Sequence, residues 1–365
     1  MRVLGQNCAV SQPGPPPLVP PAGGRAGRGR HRAPRARRRT LVTGLLAGAC
    51  VAVLAALALT GTDLATGSTH DVRIPGGGAT TLLRSVLLAA LCVQLGEVAG
   101  RRLARDVART LPGGGADGPR QPSAWAAGAA LAGMLAALGL ASMAAAGDGR
   151  LTAALPELSE IWATRDGLLA FCEANGFLLA ALCVFLARPT WAAVPLAGVI
   201  AGEAQRAHPE ADTPALGIAL TLVHLTSTVL WTGGLVHVLR TMRVWRLWHG
   251  EPGAARALLA AYARRAFWLL TALCATGTVS TLRKLPSLSP DAVASSAWGR
   301  ILVVKLAVVA LVAVCALFAR RVLVRDRTRT SYTRILRPTA WELAALGAVL
   351  VLSALLTVAP VPRAG

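Results

Sequence analysis

The sequence predicts an all-α fold: a polytopic transmembrane helical bundle of about nine spans, N-terminus cytoplasmic and C-terminus outside. Three observations carry this expectation. Of 365 residues, 54% are hydrophobic and only 15% charged, against about 25% charged in an ordinary soluble domain. The apolar residues come in runs of about 20, the length that crosses ~30 Å of hydrocarbon. The arginines gather in alternate connections, as the positive-inside rule requires.

Taken in order, residues 1–40 are rich in Pro, Gly and Arg and end in RGRHRAPRARRR. Such a segment cannot bury a core and is expected to be a disordered, basic cytoplasmic tail that orients the first helix. Spans are expected near 41–61, 81–99, 124–146, 167–187, 190–206, 213–239, 264–282, 299–320 and 339–359. The first is long enough to cross and has no convincing small-residue cleavage site, so it reads as an uncleaved anchor. The fifth is the weakest, being short and containing Pro195 and Glu203. Residues 41–206 are taken as an N-terminal group of transmembrane helices and 207–365 as a second transmembrane domain.

The connections 100–123, 240–263 and 321–338 hold most of the internal arginines and are expected in the cytoplasm. The connections 62–80, 147–166, 207–212 and 283–298 are poorer in arginine and are expected outside. Trp125, Trp191, Trp245, Trp248 and Trp341 fall near the cytoplasmic edges, and Trp162 and Trp298 near the outer ones. That is an aromatic belt, from which Trp231, deep in its span, departs. The net charge of +21 would suggest nucleic acid in a soluble protein. Here alternation between loops assigns it to membrane topology, so membrane lipid is the expected partner and nucleic acid is not.

Several chemistries lack their signatures. The seven cysteines show no CxxC and no paired spacing, so neither a disulfide framework nor a zinc site is indicated. The sequence shows no nucleotide-binding loop, no Ser-His-Asp pattern and no HExxH. The GGG runs at 76–78 and 113–115 lack the following Lys of a phosphate cradle and are read as flexible linkers. An enzyme is therefore not expected.

Ionisable groups within a membrane are costly and usually have a pairing or functional reason. Among six histidines only His224 and His237 fall inside a span, LVHLTSTVLWTGGLVHVL at 222–239. At 3.6 residues per turn, Thr221, His224, Thr228 and Trp231 share one face, which Gly217 and Gly234 continue. Two accounts stay open for this stripe: close packing with His224 as a hydrogen-bonding residue, or a ligand or relay lining a path. His237 lies about 20 Å further along the axis and ~140° around it, too far to share a metal ion with His224; it is an exit ligand or an interfacial residue. Glu173, Asn175, Glu203, His208, Arg300 and Lys305 are expected to form, with His224, a polar funnel opening outward. The alternative for Glu173 and Glu203 is charge pairing, with Lys305 or Arg283 as partners. Glu97 and Glu342 are expected to pair with loop arginines. Imidazole with carboxylates suits Cu(II).

The helix 222–239, with its W-x-G-G core (Trp231, Gly233, Gly234) and histidines, resembles the histidine-rich helix of the copper resistance protein D (CopD) family of bacterial inner-membrane proteins. Residues 264–320 resemble that family's helix, outer loop, aromatic-Gly-Arg motif and L-x-x-K-L helix, here Trp298, Gly299, Arg300 and Lys305. The resemblance implies copper handling, by uptake across the cytoplasmic membrane or by tolerance of excess copper. Many members carry a Gly-His pair before the W-x-G-G helix; here the region reads GEAQRAHPE, so Glu203 or His208 takes that place. The copper-binding domain fused to some members is not seen, which implies a separate extracytoplasmic copper-binding protein as donor. The metal-ligand candidates are His224, His208, Glu203, His237 and Glu173, with copper as substrate or ligand. Two other functions stay open: a factor delivering copper to a respiratory oxidase, which gene neighbours would separate, and a b-type cytochrome. For the last, bis-histidine ligation needs histidines on another helix, and no other span has one, so no haem is expected.

Overall fold

The computed structural model describes residues 49–61, 76–110, 122, 124–146, 158–207, 213–249, 252–284, 296–325 and 332–358. Within them all regular structure is helical. The helices are α1 (Ala49–Gly61), α2 (Gly77–Arg109), α3 (Ala126–Ala146), α4 (Leu158–Ala163), α5 (Arg165–Phe185), α6 (Ala193–Ala207), α7 (Pro214–His249), α8 (Pro252–Lys284), α9 (Ala297–Arg325) and α10 (Tyr332–Val358). The basic tail, the GGG at 113–115, Cys8 and His208 lie outside the described residues.

Six of these helices, α2, α3, α5, α7, α8 and α9, are long and apolar enough to cross a membrane. This is a multi-pass membrane protein. At 15 residues α6 reaches only ~22 Å, and α1 and the apolar Ala344–Val358 part of α10 are also short. Local sequence signals set some of the ends. Thr164 N-caps α5, its hydroxyl accepting from Gly167 N at 3.0 Å, with Asp166 in the first turn.

Helix α2 lies at the centre, packed against α3, α6, α7, α8 and α10; α7 packs on α2, α6, α8 and α10. Lipid tails are as apolar as leucine, so close approach of small residues, not hydrophobic expulsion, joins such helices. Glycines therefore mark the tightest contacts. A Cβ on Gly96 would stand 2.2 Å from Gly233 C, and one on Gly233 would stand 1.8 Å from Cys92 O. Helices α2 and α7 thus touch backbone to backbone and run parallel. At the periphery, α9 packs mainly on α10 and presents Val303, Val304, Leu306, Leu311, Val314, Leu317 and Phe318 outward.

Three expectations change. Helices extend well beyond the apolar spans: α2 runs to Arg109, α7 to His249, and α8 begins at Pro252. Arginine is a good helix former, so the end of hydrophobicity does not end the helix. The GGG at 76–78 is no linker. Gly76 adopts φ 71° as the cap of α2, and a Cβ on Gly78 would meet Leu59 O at 2.3 Å, so this run seats α2 against the end of α1. Trp125, Trp162 and Trp191 are exposed as a belt requires, whereas Trp245 and Trp298 are buried among helices.

Candidate functional site

His224 sits at the contact of α7 with α8. Its Nδ1 lies 2.9 Å from Thr276 Oγ1. The Thr276 hydroxyl also lies 2.7 Å from Ala272 O, and with its proton directed there it accepts from Nδ1–H of His224. Gly277 is the next residue against the ring; a Cβ there would approach Cε1 to 3.5 Å. The backbone carbonyl of His224 accepts from Thr228 Oγ1 at 2.9 Å. One turn further, the Tyr262 hydroxyl of α8 donates to Trp231 O at 2.7 Å, and the Tyr262 ring covers Gly234. The face that carries His224, Thr228 and Trp231 is thus the α8 face, joined by polar contacts.

His237 faces the other neighbour. It is 2% exposed and packs on α2, where a Cβ on Gly100 would meet its ring carbon at 2.4 Å. Neither ring nitrogen has a hydrogen-bond partner among the described residues. At this end Glu97 binds Arg101 and accepts from Trp125 N at 3.0 Å, while the Arg240 guanidinium stacks 3.6 Å over the Trp125 ring. Glu97 has the arginine partner the sequence suggests. The Glu342 side chain lies outside the description. The Gln94 amide, one turn before Glu97, is buried with neither polar atom partnered among the described residues.

The acids of α5 and α6 meet at the opposite end. Glu173 Oε2 accepts from Arg206 Nη2 at 2.6 Å, and Glu203 Oε1 lies 3.8 Å from Arg206 Nη1. All three side chains are buried. The partner of Glu173 is therefore Arg206, not Lys305 or Arg283: α6 turns back along α5 and brings Arg206 from 33 residues away. Arg283 instead donates to Thr213 Oγ1.

Of the other expected funnel residues, Asn175 is exposed and donates to Phe171 O at 2.9 Å. Arg300 is exposed and Lys305 half-buried on α9, which packs on α10 and α8 rather than on α5 or α6. The structure brings Glu173 and Glu203 together and sets His224 and His237 on different seams. Among the described residues no group of three or more His, Cys, Asp or Glu is arranged to hold a metal ion. Sequence reasoning did not single out Arg206, Thr276, Tyr262 or Gln94. Arg206 and Gln94 had a usable signal, a charge at the end of an apolar span and an amide inside one; Thr276 had none.

Residues 256–356 match the family model Copper resistance protein D. This region is CopD-like. It takes in most of α8, all of α9 and α10 up to its last turn, and contains Tyr262, Thr276, Trp298, Arg300 and Lys305. The histidine helix α7 precedes the CopD-like region and lies against its first helix through the His224–Thr276 and Trp231–Tyr262 contacts. No curated protein and no solved structure matches the chain.

Proposed function

We propose that this protein moves copper ions across the cytoplasmic membrane, by uptake, and so sets cellular copper content and tolerance. It acts as a transporter rather than an enzyme. About nine membrane crossings, with the N-terminus in the cytoplasm and the C-terminus outside, account for the arginine-rich ends of α2, α7 and α9. The observation that carries the proposal is the hydrogen bond from His224 to Thr276, which couples the histidine helix to the first helix of the CopD-like region. The Thr276 contact orients the imidazole and holds its proton on Nδ1, the arrangement by which an outer partner prepares a histidine to ligate a metal through Nε2. Imidazole nitrogen with carboxylates such as Glu173 and Glu203 suits Cu(II). A separate extracytoplasmic copper-binding protein would supply the ion.

The test is cell-associated copper in a deletion strain complemented with the unaltered protein or His224→Ala, at matched membrane expression, across a copper series. The unaltered protein is expected to raise cell copper and the variant to fail. Equal complementation by both would remove His224 from the path. No change in cell copper with either would overturn the transport proposal.

A further inference from the structure

Arg206 is placed between Glu173 and Glu203. Arg206 reaches both, 2.6 Å from Glu173 Oε2 and 3.8 Å from Glu203 Oε1, and its side chain is 3% exposed against 1% and 6% for theirs. Glu173 Oε1 and Glu203 Oε1 are buried without a hydrogen-bond partner among the described residues. A glycine keeps room beside the first of these oxygens: a Cβ on Gly202 would stand 2.9 Å from it. The other charges around this contact are more distant. Arg84 of α2 faces Glu173 without an ion pair among the described residues, and Arg165 of α5 is directed at Gln205 O, 3.5 Å away at the surface.

We propose that Arg206 is a tethered counter-ion that occupies the carboxylate pair and controls which cations reach it, so that a divalent cation binds as the guanidinium withdraws. A guanidinium and a metal ion compete for the same carboxylate oxygens. With Arg206 in place the pair admits no dication; with Arg206 withdrawn, two carboxylates face each other in a low-dielectric setting and favour one. The choice between these arrangements gates the site. The inference rests on the copper reading only in its choice of ion.

The experiment is a Cu(II) competition titration of the full chain in lipid nanodiscs. Arg206→Gln is expected to bind Cu(II) at least about tenfold more tightly than the unaltered protein. Adding Glu203→Gln to Arg206→Gln is expected to abolish the gain, which assigns it to the carboxylate pair rather than to a histidine. Arg206→Lys keeps the charge without the two-armed fork and is expected to give a smaller gain with the fold intact. If Arg206→Gln does not fold, Arg206→Lys decides. Unchanged or weaker binding in the folded variants overturns the proposal, as does a gain that survives Glu203→Gln. Failure here is separable from failure of the transport proposal. The first appears as no gain in Cu(II) affinity while His224→Ala still alters cell copper, the second as a gain in affinity with cell copper unchanged.

Discussion

Helix α7 has two seams of opposite construction, and each holds one of its histidines. Against α2 the contact is made by missing side chains: Gly96 and Gly100 on one helix, Gly233 on the other, with His237 pressed into the space over Gly100 and without a hydrogen-bond partner among the described residues. Against α8 the contact is made by polar groups, His224 to Thr276 and Tyr262 to the Trp231 carbonyl. The α2 seam has no room for a Cβ at Gly96, Gly100 or Gly233. The α8 seam holds a half-buried imidazole by a hydrogen bond to Thr276. The same residue type on one helix thus packs against glycine at one place and is hydrogen-bonded at the other, and the neighbour decides which.

The largest effect that would break this contrast comes from the glycine seam. Gly233→Ala places a methyl group 1.8 Å from Cys92 O, where backbone cannot yield without moving α2. The expected outcome is destabilisation of about 3 kcal/mol or more, seen as loss of monodisperse protein after solubilisation. An unaltered melting temperature would show that the two backbones do not touch. Tyr262→Phe deletes the buried donor to Trp231 O at 2.7 Å and is expected to cost about 1 kcal/mol, measured as a shift in denaturation midpoint. A null result would reduce the α8 seam to packing alone. The smallest effect is expected at His237. Its ring nitrogens find no partner among the described residues, so His237→Leu removes a desolvated polar group and should alter stability by less than about 1 kcal/mol. Complementation of cell copper should be retained. Loss of that complementation in a stable His237→Leu protein would place His237 on the ion path and erase the difference between the seams.

Much of this molecule was legible along the chain. Apolar runs and arginine alternation identified a helical membrane protein. The spacing of His224 and His237 around α7 already directed them to different sides, and the motifs in 264–320 pointed to the family whose model matches 256–356. The helix ends were not legible. Hydropathy reports where the apolar stretch ends, whereas arginine-bearing helices such as α7 continue past it, here to His249.

The sequence by itself determined the solvent of the protein, its helical class and which residues are chemically capable, because those follow from composition and from a period of 3.6. Tertiary structure alone decided the partners. Arg206 reached Glu173 across 33 positions because α6 folds back on α5. Thr276 reached His224 across 52 positions because α8 returns along α7. The glycines of α2 and α7 became a seam because, without a Cβ, their backbones alone approach closely enough to touch. In lipid the hydrophobic effect does not choose between helix faces, so shape and polar contact between distant segments make that choice.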